Sequence, residues 1–179
     1  MIDPSKLKTI RKPYEGEFPP SAIQYITLLP DDGGVLPQMW SNLASTQDLL
    51  RSIPAEKLTY RYAKGKWTIK EILGHLTDDE RIYSYRALRI GRNDTTQLAG
   101  FEPEDYVQHS NANYRNLADL IDEFAAVRVA TLTLFNSFTE EAILRKGIVN
   151  DNTVSVSAAI YHIAGHELHH LNIIRERYL

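Results

Sequence analysis

Tyr161-His162-Ile163-Ala164-Gly165-His166-Glu167-Leu168-His169-His170 holds four of the chain's six histidines, in a region free of proline after Pro103. Apolar residues recur around it at helical spacing: Val156, Ile160, Ile163, Leu171 and Ile174 gather on one face of a helix predicted over residues 154–178. A helix brings residues four apart onto one face. His162 with His166, or His166 with His170, can therefore grip one cation, and imidazole is a common metal ligand. On a wheel of about 100° per residue, His170 lies about 60° from the apolar centre and His166 about 100°. His162 and His169 fall at about 140° and about 160° and are expected to point toward solvent. The later pair thus rims the buried stripe, and it needs a third ligand from elsewhere.

The same spacing builds the rest of the chain. Leu36, Met39, Trp40, Leu43, Leu49, Leu50 and Ile53 mark a first long helix that Pro54 closes. Thr68-Ile69-Lys70-Glu71 is a capping box. It opens a second helix carrying Ile69, Ile72, Leu73, Leu76, Tyr83, Ala87 and Ile90 on one stripe and ending near Gly91-Arg92-Asn93. A third helix is predicted over residues 110–137, a short turn over 139–144 and a loop over 147–153, and no strand-like alternation competes. Four long amphipathic helices make an all-α four-helix bundle, in which the roughly 18-residue link between the second and third permits a long crossover. Residues 1–34, with Pro4, Pro13, Pro19, Pro20 and Pro30, read as an extended N-terminal arm with a short helix over 21–29; it is expected to pack on the body formed by residues 35–179. The whole is one domain, as 179 residues suit.

Of the remaining histidines, His109 sits in or beside a loop, whereas His75 lies about 100° from the apolar centre of the second helix and rims its stripe. His75, His166 and His170 together form a facial three-histidine set with coordination positions left open, the form a catalytic metal takes. Glu80 and Glu167 fall inside apolar stripes, and a buried carboxylate must be paired, coordinated or protonated. Arg86, Arg115 and Arg128 are candidate partners; orientation of a ligand imidazole is the other use. Asp79, one turn after His75, suits a ligand or a base, and Tyr106 and Arg115 are candidates for a cavity mouth. The stretch 166–170 also matches H-E-x-x-H, but the extended protease signature wants glycine where Ile173 stands and histidine where Glu176 stands. A ferritin-like di-iron site would need a second Glu-x-x-His, and there is none.

With 20 Lys and Arg against 23 Asp and Glu, and no basic cluster, nothing here resembles a nucleic-acid footprint. The absence of cysteine excludes disulfides and a protein thiol nucleophile. No apolar run approaches the roughly 18–20 residues of a membrane span, so a cytoplasmic protein acting on a small molecule is expected, with a homodimer through an outer helix face compatible.

Lys66-Trp67-Thr68-Ile69-Lys70-Glu71-Ile72-Leu73-Gly74-His75-Leu76, followed by Asp78, Glu80 and Arg81, together with Ala164-Gly165-His166-Glu167-Leu168-His169-His170 and Gly100-Phe101-Glu102-Pro103-Glu104-Asp105-Tyr106, resembles the DinB-like superfamily in its YfiT-type branch of metal-dependent hydrolases. That resemblance implies a four-helix bundle in which His75, His166 and His170 bind a divalent metal, with nickel or zinc expected. It also implies either hydrolysis of a small substrate or thiol-dependent S-transfer with a low-molecular-weight thiol. Asp79, Glu80 and Glu167 are the carboxylates available as base or as support for a ligand. The alternative is a metal-binding stress-response bundle that acts mainly as an interaction module without turnover.

Overall fold

A computed structural model describes residues 2–179. A short helix α1 (Ile23–Ile26) precedes the long helices α2 (Val35–Ser52) and α3 (Ile69–Gly91); then come the short α4 (Pro103–His109), the long α5 (Leu117–Ser137), the short α6 (Glu140–Leu144), strands β1 (Lys146–Val149) and β2 (Asn152–Ser155), and the long α7 (Val156–Arg177). The capping box forms as written: Thr68 Oγ1 accepts from the Glu71 amide at 3.1 Å and Glu71 Oε2 accepts from the Thr68 amide at 2.7 Å. Ser155 starts α7 in the same way, its Oγ accepting from the Ala158 amide at 3.0 Å.

The four long helices close into a bundle. α3 packs on α5 and α7, and α2 packs on the same two helices, so the consecutive α2 and α3 lie across its diagonal. No helix among the described residues is long and apolar enough to cross a membrane.

Two segments differ from the sequence expectation. Residues 146–155, expected to include a loop, form an antiparallel hairpin with Lys146 opposite Ser155 and Val149 opposite Asn152. Its turn, Asn150-Asp151, has positive φ at both residues (46° and 61°), the twist that a two-residue hairpin requires. Four-residue strands are too short to show alternation, and Gly147 weakens the first. The crossover adds a rung: the Leu98 amide donates to Ile148 O and accepts back through Leu98 O from the Asn150 amide, both at 2.9 Å. The third long helix starts at Leu117 rather than near residue 110, because Asn111 adopts a left-handed φ of 55° that separates α4 from α5.

The apolar core is split. One cluster joins Leu36 and Met39, Ala87 and Ile90, Leu132 and Phe135, and Val156, Ile160 and Ile163. The other joins Leu50 and Ile53, Ile69, Ile72, Leu73 and Leu76, Leu120, Ile121 and Phe124, and Leu171 and Ile174. Each long helix therefore passes through apolar, polar and apolar levels, and Arg128 of α5 occupies the middle level, fully buried. Its Nε and Nη2 hold Glu80 of α3 at 2.9 and 2.8 Å, and its Nη1 reaches Glu167 Oε2 of α7 at 2.8 Å and Met39 O of α2 at 3.1 Å. Thr46 of α2 donates to the other Glu167 oxygen at 2.7 Å. Of the three candidate arginines, Arg128 is the partner of both glutamates. Replacing Arg128 by Met leaves two buried carboxylates facing each other, and a loss of about 3–5 kcal/mol in urea unfolding is expected. The triple variant Arg128→Met, Glu80→Gln, Glu167→Gln is expected to recover most of it.

The arm crosses α7 and contributes Ile10, Ala22, Ile26 and Leu29 to the core. Tyr161 Oη donates to Ile10 O at 2.9 Å. The contact is closest at Gly165, where a Cβ would stand 2.2 Å from Tyr25 O. Glycine inside a helix costs about 1 kcal/mol relative to alanine, so this position is dictated by the close approach. Gly165→Ala is accordingly expected to lower stability by about 1–3 kcal/mol and to speed proteolysis of residues 2–34, against its gain in helix propensity.

Candidate metal centre

α3 brings His75, and α7 brings His166 and His170, to one point in the polar level. Their Nε2 atoms lie close together: 3.1 Å from His75 to His166 and 3.0 Å from His170 to His166. All three rings are buried. A ring nitrogen has one in-plane direction for a proton or a lone pair. A proton on His166 Nε2 can serve one neighbour and leaves the other facing it unbonded, so hydrogen bonds alone cannot satisfy the trio. Three lone pairs aimed at one cation do satisfy it, and the donor set suits a borderline divalent ion. The Nδ1 atoms of His75 and His170 are buried without a hydrogen-bond partner among the described residues. Burial, reinforced by the neighbouring His166, pushes the His75 ring down to about 4 and the His170 ring down to about 2. Both are therefore neutral at pH 7, as ligands must be.

Asp79 supports the centre from behind. Its Oδ2 is 3.2 Å from His166 Nδ1 and 3.3 Å from His162 Nε2. Burial alone would raise this carboxylate, but His166 and His162 hold it well below the usual range. A carboxylate behind the far nitrogen of a ligand fixes the tautomer and orientation of its ring. Asp79, His162 and His166 also form a second group of mutually close donor atoms, on the opposite nitrogen of His166. The pair that converges with His75 is His166 and His170; His162 approaches on the Asp79 side.

The expectation that His162 faces solvent is overturned: it is 7% exposed, stacked on Tyr83 at 3.7 Å between centroids. The wheel assumed one exposed side, yet α7 is buried on every side from Val156 to Glu167. The arm is the reason. Tyr25 sets its ring edge-on against His162, His166 and His169 at 5.1 to 5.3 Å. Trp67 walls the opposite side, 4.6 Å from His75, with Nε1 donating to Glu104 at 2.9 Å. Glu80 and Glu167 lie in the Arg128 network rather than among the imidazoles. His109 is exposed, its Nδ1 2.7 Å from Asp105 O. Tyr106 and Arg115 do not line the histidine cavity: Tyr106 packs on Phe101, and Arg115 pairs with Glu123. Sequence reasoning missed Tyr25, Trp67, Tyr83 and Arg86, which all line a cavity of about 490 Å³ beside the histidines. Tyr83 stood two turns after His75, and its spacing carried a signal; Tyr25, far off in the arm, carried none.

The DinB superfamily model matches residues 39–174, which span α3, α7 up to its last three residues, and every residue of the three-histidine cluster. The chain belongs to the DinB superfamily. It is 23% identical over 130 residues to a protein of Oceanobacillus iheyensis that is provisionally named a metal-dependent hydrolase, covering 72% of this chain and 74% of that one. The fold is shared with YfiT from Bacillus subtilis, described as a probable metal-dependent hydrolase with an unusual four-helix bundle topology; the TM-score is 0.75 at 14% identity, over 93% of this chain and 91% of the other. In this DinB chain the consecutive helices α2 and α3 lie across the diagonal of the bundle.

The neutral imidazoles make the metal-free protein acid-sensitive. The unfolded chain takes up a proton at each ring near pH 6.5, whereas folded His75 does so only near pH 4. Protons therefore favour unfolding throughout that window, and stability present above pH 6.5 is lost as pH falls toward 4. Urea midpoints of metal-free protein between pH 7.5 and 4.5 are expected to fall, and His75→Gln is expected to flatten that slope by about one proton.

Proposed function

We propose that this chain is a metal-dependent enzyme acting on a small molecule, its divalent ion held by His75, His166 and His170. The observation that carries the proposal is the convergence of three buried Nε2 atoms, 3.0 and 3.1 Å apart, beside a cavity of small-molecule size. A facial set of three neutral ligands leaves positions open, and a divalent ion there would lower the pKa of a bound water or thiol toward neutrality. The chain's own groups do the rest. Asp79 orients the His166 ring, Trp67 and Tyr25 keep bulk water off the imidazoles, and Arg128 holds Glu80 and Glu167 away from them. Of Asp79, Glu80 and Glu167, Asp79 is the one that lines the cavity, its Oδ2 facing His166 and His162, and it is the carboxylate we assign as proton acceptor there.

Hydrolysis is the first reading, supported by what the similar proteins are called. Transfer of an external low-molecular-weight thiol is the second; a chain without cysteine fits it but does not require it. Zinc and nickel both suit three imidazoles. A cytoplasmic setting and a homodimer are compatible with this reading.

Elemental analysis of untagged protein tests the centre. About one equivalent of nickel or zinc is expected, falling below about half in His75→Ala with helicity retained, while His162→Ala keeps its metal. Metal retained in His75→Ala would sink the assignment. A screen of activated esters, amides and electrophiles, each with and without glutathione or bacillithiol, then separates the two reactions: thiol-independent turnover supports hydrolysis, and thiol-dependent turnover supports transfer.

A further inference from the structure

The molecule has a second deeply buried arginine, and its surroundings differ sharply from those of Arg128. Arg86 of α3 is 5% exposed. Among the described residues no carboxylate lies within ion-pair distance of it. Its Nη2 donates to Ala99 O at 2.9 Å. The rest of its environment is aromatic: the guanidinium carbon sits 4.8 Å from the Tyr83 ring centroid and 5.7 Å from that of Phe101. Its remaining N–H groups are not among the buried side-chain atoms left without a partner; they open on the cavity, and the two aromatic faces beside them supply no anion. The same fold gives Arg128 two glutamates at the same depth. Arg86 instead lines the cavity that contains the three-histidine cluster, and Tyr83 bridges the two by stacking on His162.

We propose that Arg86 is the anchor of a carboxylate-binding subsite, so that the molecule occupying the cavity carries a carboxylate directed at α3 while its reactive group faces the imidazoles. The proposal rests on the reading of the cavity as a small-molecule site and adds the chemical class of its occupant. The free N–H groups of a guanidinium match the two oxygens of a planar carboxylate, and that match suits an edge left open between ring faces. A further donor stands nearby. Asn150, at the hairpin turn, lies over Gly100, where a Cβ would come within 2.9 Å of its side chain. Its side-chain amide forms no hydrogen bond among the described residues, and Asn150 lines the same cavity, as does Asn152. Gly100 thus keeps an amide beside Ala99, the residue that positions Arg86. The rung between Leu98 and the hairpin holds the two segments together. The carboxylate belongs either to the substrate or to a thiol co-substrate; the chemistry of recognition is the same.

Calorimetric titration of the zinc-loaded protein with succinate and with its uncharged diamide, succinamide, tests the subsite. Wild type is expected to bind succinate about tenfold more tightly than succinamide. Arg86→Gln is expected to remove that preference and leave zinc affinity unchanged; Arg86→Lys is expected to keep part of it, as a charge without the fork. Equal binding of the two probes by wild type overturns the proposal. So does an unaltered succinate preference in Arg86→Gln, which would mean that the metal alone reads the charge. Should Arg86→Gln not fold, wild type and Arg86→Lys decide by the same comparison. Protein that takes up no zinc refutes the metal centre, and the same titration then still reads Arg86. Where wild type prefers succinate and Arg86 accounts for it, titration with mercaptoacetate and with mercaptoethanol assigns the carboxylate to a thiol or to the other substrate.

Discussion

Everything in the middle of the bundle depends on one cation. Arg128 draws Glu80, Glu167 and the backbone of α2 to a single guanidinium and so ties all four long helices at the level where the apolar core is interrupted. Two carboxylates there would repel without it, and the burial of three charges is sustained only because nearly every oxygen and N–H is bonded. The net charge of the cluster is one negative unit, and Thr46 adds a neutral donor.

That anchor sets the aim of the site. Glu80 follows Asp79 and Glu167 follows His166, and neighbours on a helix point about 100° apart. Fixing the two glutamates on Arg128 therefore turns Asp79 and His166 toward the cavity side of the same helices. His75 and His170, one turn back and one turn on, come along with them. The imidazoles converge because a structural ion pair one residue away leaves α3 and α7 no freedom to rotate. A rigid pair of helices is what a metal site with open positions needs, since the protein and not the ion must hold the geometry.

Much of this was legible in the chain. Thr68 and Glu71 announce the start of α3 through two hydrogen bonds that involve only neighbours, and local chemistry is what sequence displays well. The convergence of His75 with His166 and His170 was also readable, because each rims an apolar stripe whose facing partner is another stripe. The hairpin was not, for its strands are too short to establish a period. His162 was misplaced for a different reason. A wheel describes one helix against one core, and the surface that covers His162 comes from Tyr25, more than a hundred residues away. Arg86 looked like a partner for the glutamates until Arg128 took both, and charge pairing across a core is settled by depth and register, which no single helix reveals.

The crowding of four histidines into nine residues has a thermodynamic corollary. His75 and His166 are 91 positions apart and meet only in the native bundle, whereas His162, His166, His169 and His170 need no fold to be near one another. A transition metal bound as proposed would therefore have some affinity for the denatured chain as well as for the native one. Linkage would then subtract the first from the second, so a rise in melting temperature on adding the ion would understate the affinity of the finished site. Refolding with free metal present would also let the C-terminal segment be captured before α3 arrives.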